Sequence, residues 1–201
     1  GLKGAYWNID SLTVSGPLNG VDVGVLRFLG GADVNNSDPT YGRLRYLNLY
    51  NARLKKDKDH PYQCHGVNVF IGKDDVVDEY MFYYCNKLEK VILPKEATYI
   101  GEHVFDNAVN LKHLAIGDKV TGYDDRVTYQ VPGIDEMVFM TTEKAVSDAS
   151  GGLEGSGQYW FWTYDSWDTP INAVYCRNKL VPVYANEPTL TKCASSITAA
   201  F

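Results

Sequence analysis

With 201 residues, 45% of them hydrophobic and 22% charged, the chain has an ordinary globular composition and enough length for a sizeable core. A formal net charge of −6, with Lys and Arg scattered, excludes the basic patch that nucleic acid requires, so no nucleic-acid partner is expected. No apolar run approaches the roughly 20 residues needed to span a bilayer. Fifteen Tyr and four Trp favour β-rich structure and binding surfaces.

The first strand is expected between Ile9 and Val14, where Ile9, Leu12 and Val14 have the spacing L-x-x-L-x-L. Asn19-Gly20 marks a turn. Val21, Val25, Leu26 and Leu29 then predict a short helix, ended by Gly30-Gly31. Ala32 to Tyr41 is polar and turn-rich. Asp33-x-Asn35-x-Ser37 has the opening of a calcium loop, but Asp38 stands where glycine is needed and Leu44 where Glu should close it. Leu44, Leu47 and Leu49 give the cleanest strand signature, continued by Ala52 and Leu54. Lys55 to His60 reads as a charged, solvated loop, and Val69 and Ile71 predict the next strand of the same sheet.

From Val77 the sequence repeats itself. Val77 matches Ile100, Phe82 matches Phe105, Cys85 matches Ala108, Leu88 matches Leu111 and Val91 matches Leu114, always 23 residues on. Self-similarity at this period, with L-x-x-L-x-L inside it, predicts a leucine-rich repeat whose neighbours stack to share one core. Successive side chains of a strand point to opposite faces, so Leu114 and Ile116 point inward while His113, Ala115 and Gly117 point out. Ile100, Val104, Phe105 and Ala108 have helical spacing and predict one or two helical turns that close the repeat. Asn86 and Asn110 are turn residues whose side chains can satisfy backbone groups.

Ile134, Met137 and Phe139 continue at the same offset, although Thr128 stands where Phe105 stood. Ser147 to Gly157 is a Gly/Ser-rich loop. Tyr159 to Trp167 is the most aromatic stretch of the chain. Ile171, Val174 and Cys176 repeat the strand spacing, and Pro188 to Phe201 reads as an atypical capping segment.

Chemistry-bearing constellations are thin. His60, His65, His103 and His113 are scattered; His60 and His65 flank Cys64, but no second pair follows to complete a zinc site. Asp74-Asp75 and Asp124-Asp125 sit in turn-like stretches that favour Asp anyway. No nucleophile elbow, phosphate loop or H-E-x-x-H is present. The expectation is no enzyme, no metal and no cofactor. Cys85 and Cys176 fall at core positions, and Cys64 and Cys193 fall in loops, so no structural disulfide is expected.

Phe82-Tyr83-Tyr84-Cys85-Asn86-Lys87-Leu88-Glu89-Lys90-Val91-Ile92-Leu93-Pro94, followed by Tyr99-Ile100-Gly101-Glu102-His103-Val104-Phe105, resembles the BspA-like leucine-rich repeats of bacterial surface proteins. Leu12 to Gly16, Asn19 to Asp22 and Leu44 to Ala52 are similar to the opening segments of Bacteroidetes-type members. The match is specific over 77–116, weaker over 9–54 and 134–139, and lost over 147–201. The resemblance implies a secreted or surface-anchored adhesive protein with no catalytic residues, located outside the cell or on the bacterial outer membrane, with room for a lipid anchor upstream.

Together these readings predict an α/β fold: a single leucine-rich-repeat solenoid over 1–201. Its clearest repeats are 77–139, and an aromatic-rich cap covers 147–201. About seven short parallel strands should form one sheet, with short helices or irregular segments on the other side. The outward row is expected to run Thr13, Asn48, Phe70, Ile92, Ala115, Val138 and Tyr175, flanked by Ser11, Tyr46, Asn68, Lys90, His113, Glu136 and Ala173. Phe70, Ile92, His113, Val138 and Tyr175 are therefore candidate contacts for a protein ligand. Tyr159 to Trp167 reads first as an aromatic plug over the end of the core where the repeats degrade; with their rings exposed, Trp160, Trp162 and Trp167 are instead candidates for stacking on a glycan. A passive spacer in a larger surface protein is the third reading.

Overall fold

The computed structural model describes residues 8–33, 35, 40–124, 126–143, 146–147, 170–186 and 194–200. Its opening elements are β1 (Ser11–Leu18), α1 (Gly20–Leu29), β2 (Tyr46–Leu54), β3 (Asp57–Cys64), β4 (Val67–Ile71) and β5 (Val76–Val77). The repeat region holds β6 (Lys90–Ile92), β7 (Tyr99–Ile100), β8 (His113–Ile116), β9 (Gly122–Tyr123), β10 (Ile134–Phe139) and β11 (Val146–Ser147). β12 (Ile171–Cys176), the four-residue helix α2 (Val181–Tyr184) and β13 (Ile197–Ala199) complete the chain.

Asn19-Gly20 starts the helix as well as turning the chain. The Asn19 side chain accepts from the Asp22 N–H at 3.2 Å, and the Asp22 carboxylate accepts from the Asn19 N–H at 2.9 Å, forming a capping box. Val23, Leu26 and Leu29 are buried, and Gly30 closes the helix by donating to the Leu26 carbonyl.

Seven strands form a parallel sheet in the order β1-β2-β6-β8-β10-β12-β13. Its register follows the repeat: Lys90 pairs with His113 and His113 with Glu136, each a step of 23 residues (113 − 90, 136 − 113). Every inward position expected from Leu47 to Cys176 on β2, β6, β8, β10 and β12 is at most 1% exposed. The spacing of two on a pleated strand sends these side chains to one face, where they meet the same position of the next repeat. The strand at the start of the chain is longer than expected, reaching Leu18, and the tail contributes the seventh strand through Ile197–Ala199.

One strand lies elsewhere than its spacing predicts. Val69 and Ile71 belong to an antiparallel hairpin of β3 and β4, outside the main sheet, and β2 pairs directly with β6 across a step of 44 residues (90 − 46). Phe70 and Asn68 therefore leave the outward rows. The stretch expected as a loop after Lys55 is the first strand of this hairpin. Tyr62 and Cys64 are its buried anchors, which face α1 and the first repeat and hold the polar Asp57–His60 end in strand geometry.

The segment expected as helical is also different. A second parallel ladder, β5-β7-β9-β11, rises at Val76, Tyr99 and Gly122, and successive turns follow each of its first three rungs. Tyr80 and Tyr84, His103 and Asn107, and Arg126 and Gln130 all have φ between 55° and 60°. A left-handed residue every fourth position breaks the i→i−4 ladder of a helix. The freed N–H groups reach sideways instead: Phe82 donates to Val104 at 2.9 Å, Tyr84 to Asp106 at 2.9 Å, and Asn107 to Tyr129 at 2.9 Å. The apolar spacing that resembled a helix thus packs inward from turns, with the Phe82 and Phe105 rings stacked 5.5 Å apart. Gly117 is required where the chain leaves β8, since a Cβ there would lie 2.0 Å from the Pro94 carbonyl oxygen.

Both ladders share one hydrophobic cluster. Thr128, in the place of Phe105, is buried within the same layer. Cys85 and Cys176 are fully buried core thiols as expected, and burial pushes the Cys85 thiol up to about 12. Cys64 is buried in β3 and is not in a loop, whereas Cys193 lies outside the described residues. The arrangement is an α/β repeat fold on a mostly parallel sheet.

Candidate functional site

The outward face of the seven-stranded sheet is the first candidate. Asn48 pairs with Ile92, Ile92 with Ala115, Ala115 with Val138, and Val138 with Tyr175, so these side chains stand in one row across adjacent strands. Strands are about 4.8 Å apart, so Ile92 to Tyr175 makes a strip about 14 Å long. All four of its side chains are half-buried.

Polar rows border this strip on both sides. On one side Lys90, His113 and Glu136 are in register, with His113 Nδ1 3.3 Å from Glu136 Oε2. Beyond them Arg45 grips Glu89 through two contacts of 2.6 and 2.7 Å and lies over the Tyr46 ring. The guanidinium holds the Glu89 carboxyl below the usual carboxylate range. On the other side Lys95 lies over the Tyr50 ring, whose hydroxyl donates to Asp118 Oδ2 at 3.4 Å, and Arg177 Nη2 lies 3.9 Å from the same oxygen. Asn110 satisfies a backbone group as expected by donating to the Asn86 carbonyl, whereas the Asn86 side-chain oxygen is buried without a partner.

Of the candidate contacts, Ile92, His113, Val138 and Tyr175 are brought together here. Phe70 is on the hairpin, 41% exposed and away from the row. Trp160, Trp162 and Trp167 lie outside the described residues.

A second surface lies where the hairpin meets the first repeat. Between β4 and the turn at Asp78, Glu79 and Tyr80 lies a cleft of about 500 Å³, with Cys64 and His65 at the hairpin end. The His65 ring packs 4.7 Å from Tyr83, and Tyr80 stacks on His103 at 5.1 Å with an interplanar angle of 10°. His103 is fixed by Asp106 at 2.8 Å and Glu102 at 3.1 Å. Burial raises the Asp78 carboxyl, and it raises Glu79 with help from the neighbouring carboxylates Asp78, Glu102 and Asp124. The signal available in the sequence was the column Tyr80, His103 and Arg126, one residue per repeat at a step of 23.

Among the described residues, no three of His, Cys, Asp or Glu converge to hold a metal ion, and no helix is long and apolar enough to cross a membrane. No curated protein and no solved structure matches the chain. Residues 62–149 match the model of the BspA type leucine rich repeat region, in six copies. The match covers the hairpin's second half, strands β6, β8 and β10 of the main sheet, the whole second ladder and the turns between them, and it supports a BspA-like leucine-rich-repeat family for this stretch of the chain.

Proposed function

We propose that this chain is a non-catalytic interaction module whose repeats stack as a solenoid, and that a protein partner lies across the open face of the seven-stranded sheet. The observation that carries this reading is the row Ile92, Ala115, Val138 and Tyr175, in direct register on consecutive strands. A solvated sheet face alternates to polar residues. Here an apolar strip runs between polar rows, which is the anatomy of an interface core and its rim. Leucine-rich-repeat families are generally non-catalytic, and the BspA type is typically secreted or on the bacterial surface, which supports a partner outside the cell.

A photo-crosslinking side chain tests this position by position. Placed at Ala115 and exposed to mixed extracellular proteins, it should form a specific adduct that the same group at the exposed Thr121 does not form. Ile92→Asp should abolish that adduct while the urea midpoint stays in place. If Ile92→Asp unfolds the chain, the row is internal core and the sheet face is not the site.

A further inference from the structure

We infer that the cleft between β4 and the Asp78–Tyr80 turn takes the cationic side chain of a lysine or arginine from an extended segment of a protein partner. This site is separate from the sheet face, and its test does not depend on what that face binds. A cleft of about 500 Å³ is in the size range of ligand sites, and its walls are well suited to a long stem with a charged head. Val67 and Phe70 of β4 are 59% and 41% exposed and offer apolar surface for the stem. The rings of Tyr80 and His65 line the same cleft and extend its aromatic wall.

The charge of the cleft selects the occupant. Asp78 and Glu79 line it and no Lys or Arg does. Asp78 is held in place by the Gly72 N–H, which donates to its Oδ2 at 2.7 Å. Arg27 reaches this turn from the core side, but its guanidinium donates to the Tyr80, Met81 and Gln63 carbonyls. The two carboxyls are already raised by burial and crowding, so an incoming cation relieves an existing electrostatic cost. A neutral apolar occupant would bury both carboxylates without compensation. The residues do not converge as metal ligands, which favours an organic cation.

The source is a protein segment because of what borders the cleft. β3 and β4 form a sheet of only two strands, so an extended backbone can lie beside the hairpin while one side chain enters.

The test uses the ¹⁵N-labelled full chain titrated with the acetylated, amidated peptides Gly-Ser-Lys-Ser-Gly and Gly-Ser-Arg-Ser-Gly. Controls are the norleucine analogue and methylammonium chloride. The two cationic peptides should shift the amides of Val67 to Phe70 and Asp78 to Tyr80, with dissociation constants on the order of 1–10 mM. Glu79→Gln should weaken both by about fivefold or more, the scale of one charge-assisted contact. Phe70→Ser, at an exposed strand position, should weaken both as well. Equal binding of norleucine would make the cleft merely apolar and overturn the proposal. Equal shifts from methylammonium would make it a small-amine site and overturn the protein source. Peptides that leave these amides unmoved, or bind both variants as tightly as the parent, overturn it too.

Discussion

The stretch from β5 to β10 and the stretch from β2 to β5 solve the same problem differently. In the first, each 23-residue unit contributes one rung to each ladder and its left-handed turn residues recur at the same places. In the second, a hairpin replaces a rung, and a few side chains do the joining: the Tyr62 hydroxyl donates to the Glu79 carbonyl, and Asp78 accepts from the Gly72 N–H. Arg27 ties α1 to the hairpin at Gln63 and to the first repeat at Tyr80 and Met81 while lying 5.9 Å from the Tyr62 ring. Where units are alike, stability comes from identical neighbours spread over many residues. Where they differ, it is concentrated in a few polar contacts.

The largest expected effect comes from breaking the regular half. Leu114, 1% exposed between Val91 and Met137, should cost about 2–5 kcal/mol on conversion to Ala, measured by urea unfolding. A loss below about 0.5 kcal/mol would be that of a surface residue and would contradict its place in the core. Breaking the irregular half should cost somewhat less. Arg27→Met keeps the apolar stem but leaves three carbonyls without this donor, at about 2–3 kcal/mol. Hydrogen exchange should show the loss first in β3 and β4. Uniform loss of protection across both ladders would show that the hairpin and the repeats form one cooperative unit.

The smallest effect sharpens the comparison by raising stability. Gln130 has φ near 60° and is half-buried. Gln130→Gly removes the left-handed penalty of about 1–2 kcal/mol and adds unfolded-state entropy, leaving a net gain of roughly 0.5 kcal/mol. A melting temperature that falls would mean that the Gln side chain makes a contact worth more than the strain.

The regular half was legible because each inward position is tested again 23 residues later. One strand with Leu114 and Ile116 proves little, but the same pair over Val91 and Leu93 fixes the register. The outward row followed from that register without further information. The hairpin was not legible because Val69 and Ile71 also alternate and lie near the expected spacing. Alternation does not say which sheet a strand joins. β3 was hidden by its polar Asp57–His60 end and by Pro61 within it. The turns were hidden because five of their six left-handed positions hold Tyr, His, Arg or Gln, and only Asn107 is a residue that marks such a position. The acidic cleft left only the column Tyr80, His103 and Arg126 as its trace, since it exists only where the hairpin meets one of those turns.

The inter-repeat hydrogen bonds of both ladders run along the stacking direction. A pull at the two ends is therefore borne in series, each rung bonded only to the rungs beside it. Such a body does not yield at once under tension. Each 23-residue unit that lets go (113 − 90) releases up to about 75–80 Å of extended chain, many times the height of the rung it occupied. If the chain is anchored at one end and gripped at the other, it behaves as a shock absorber that lengthens in steps while the remaining rungs keep hold.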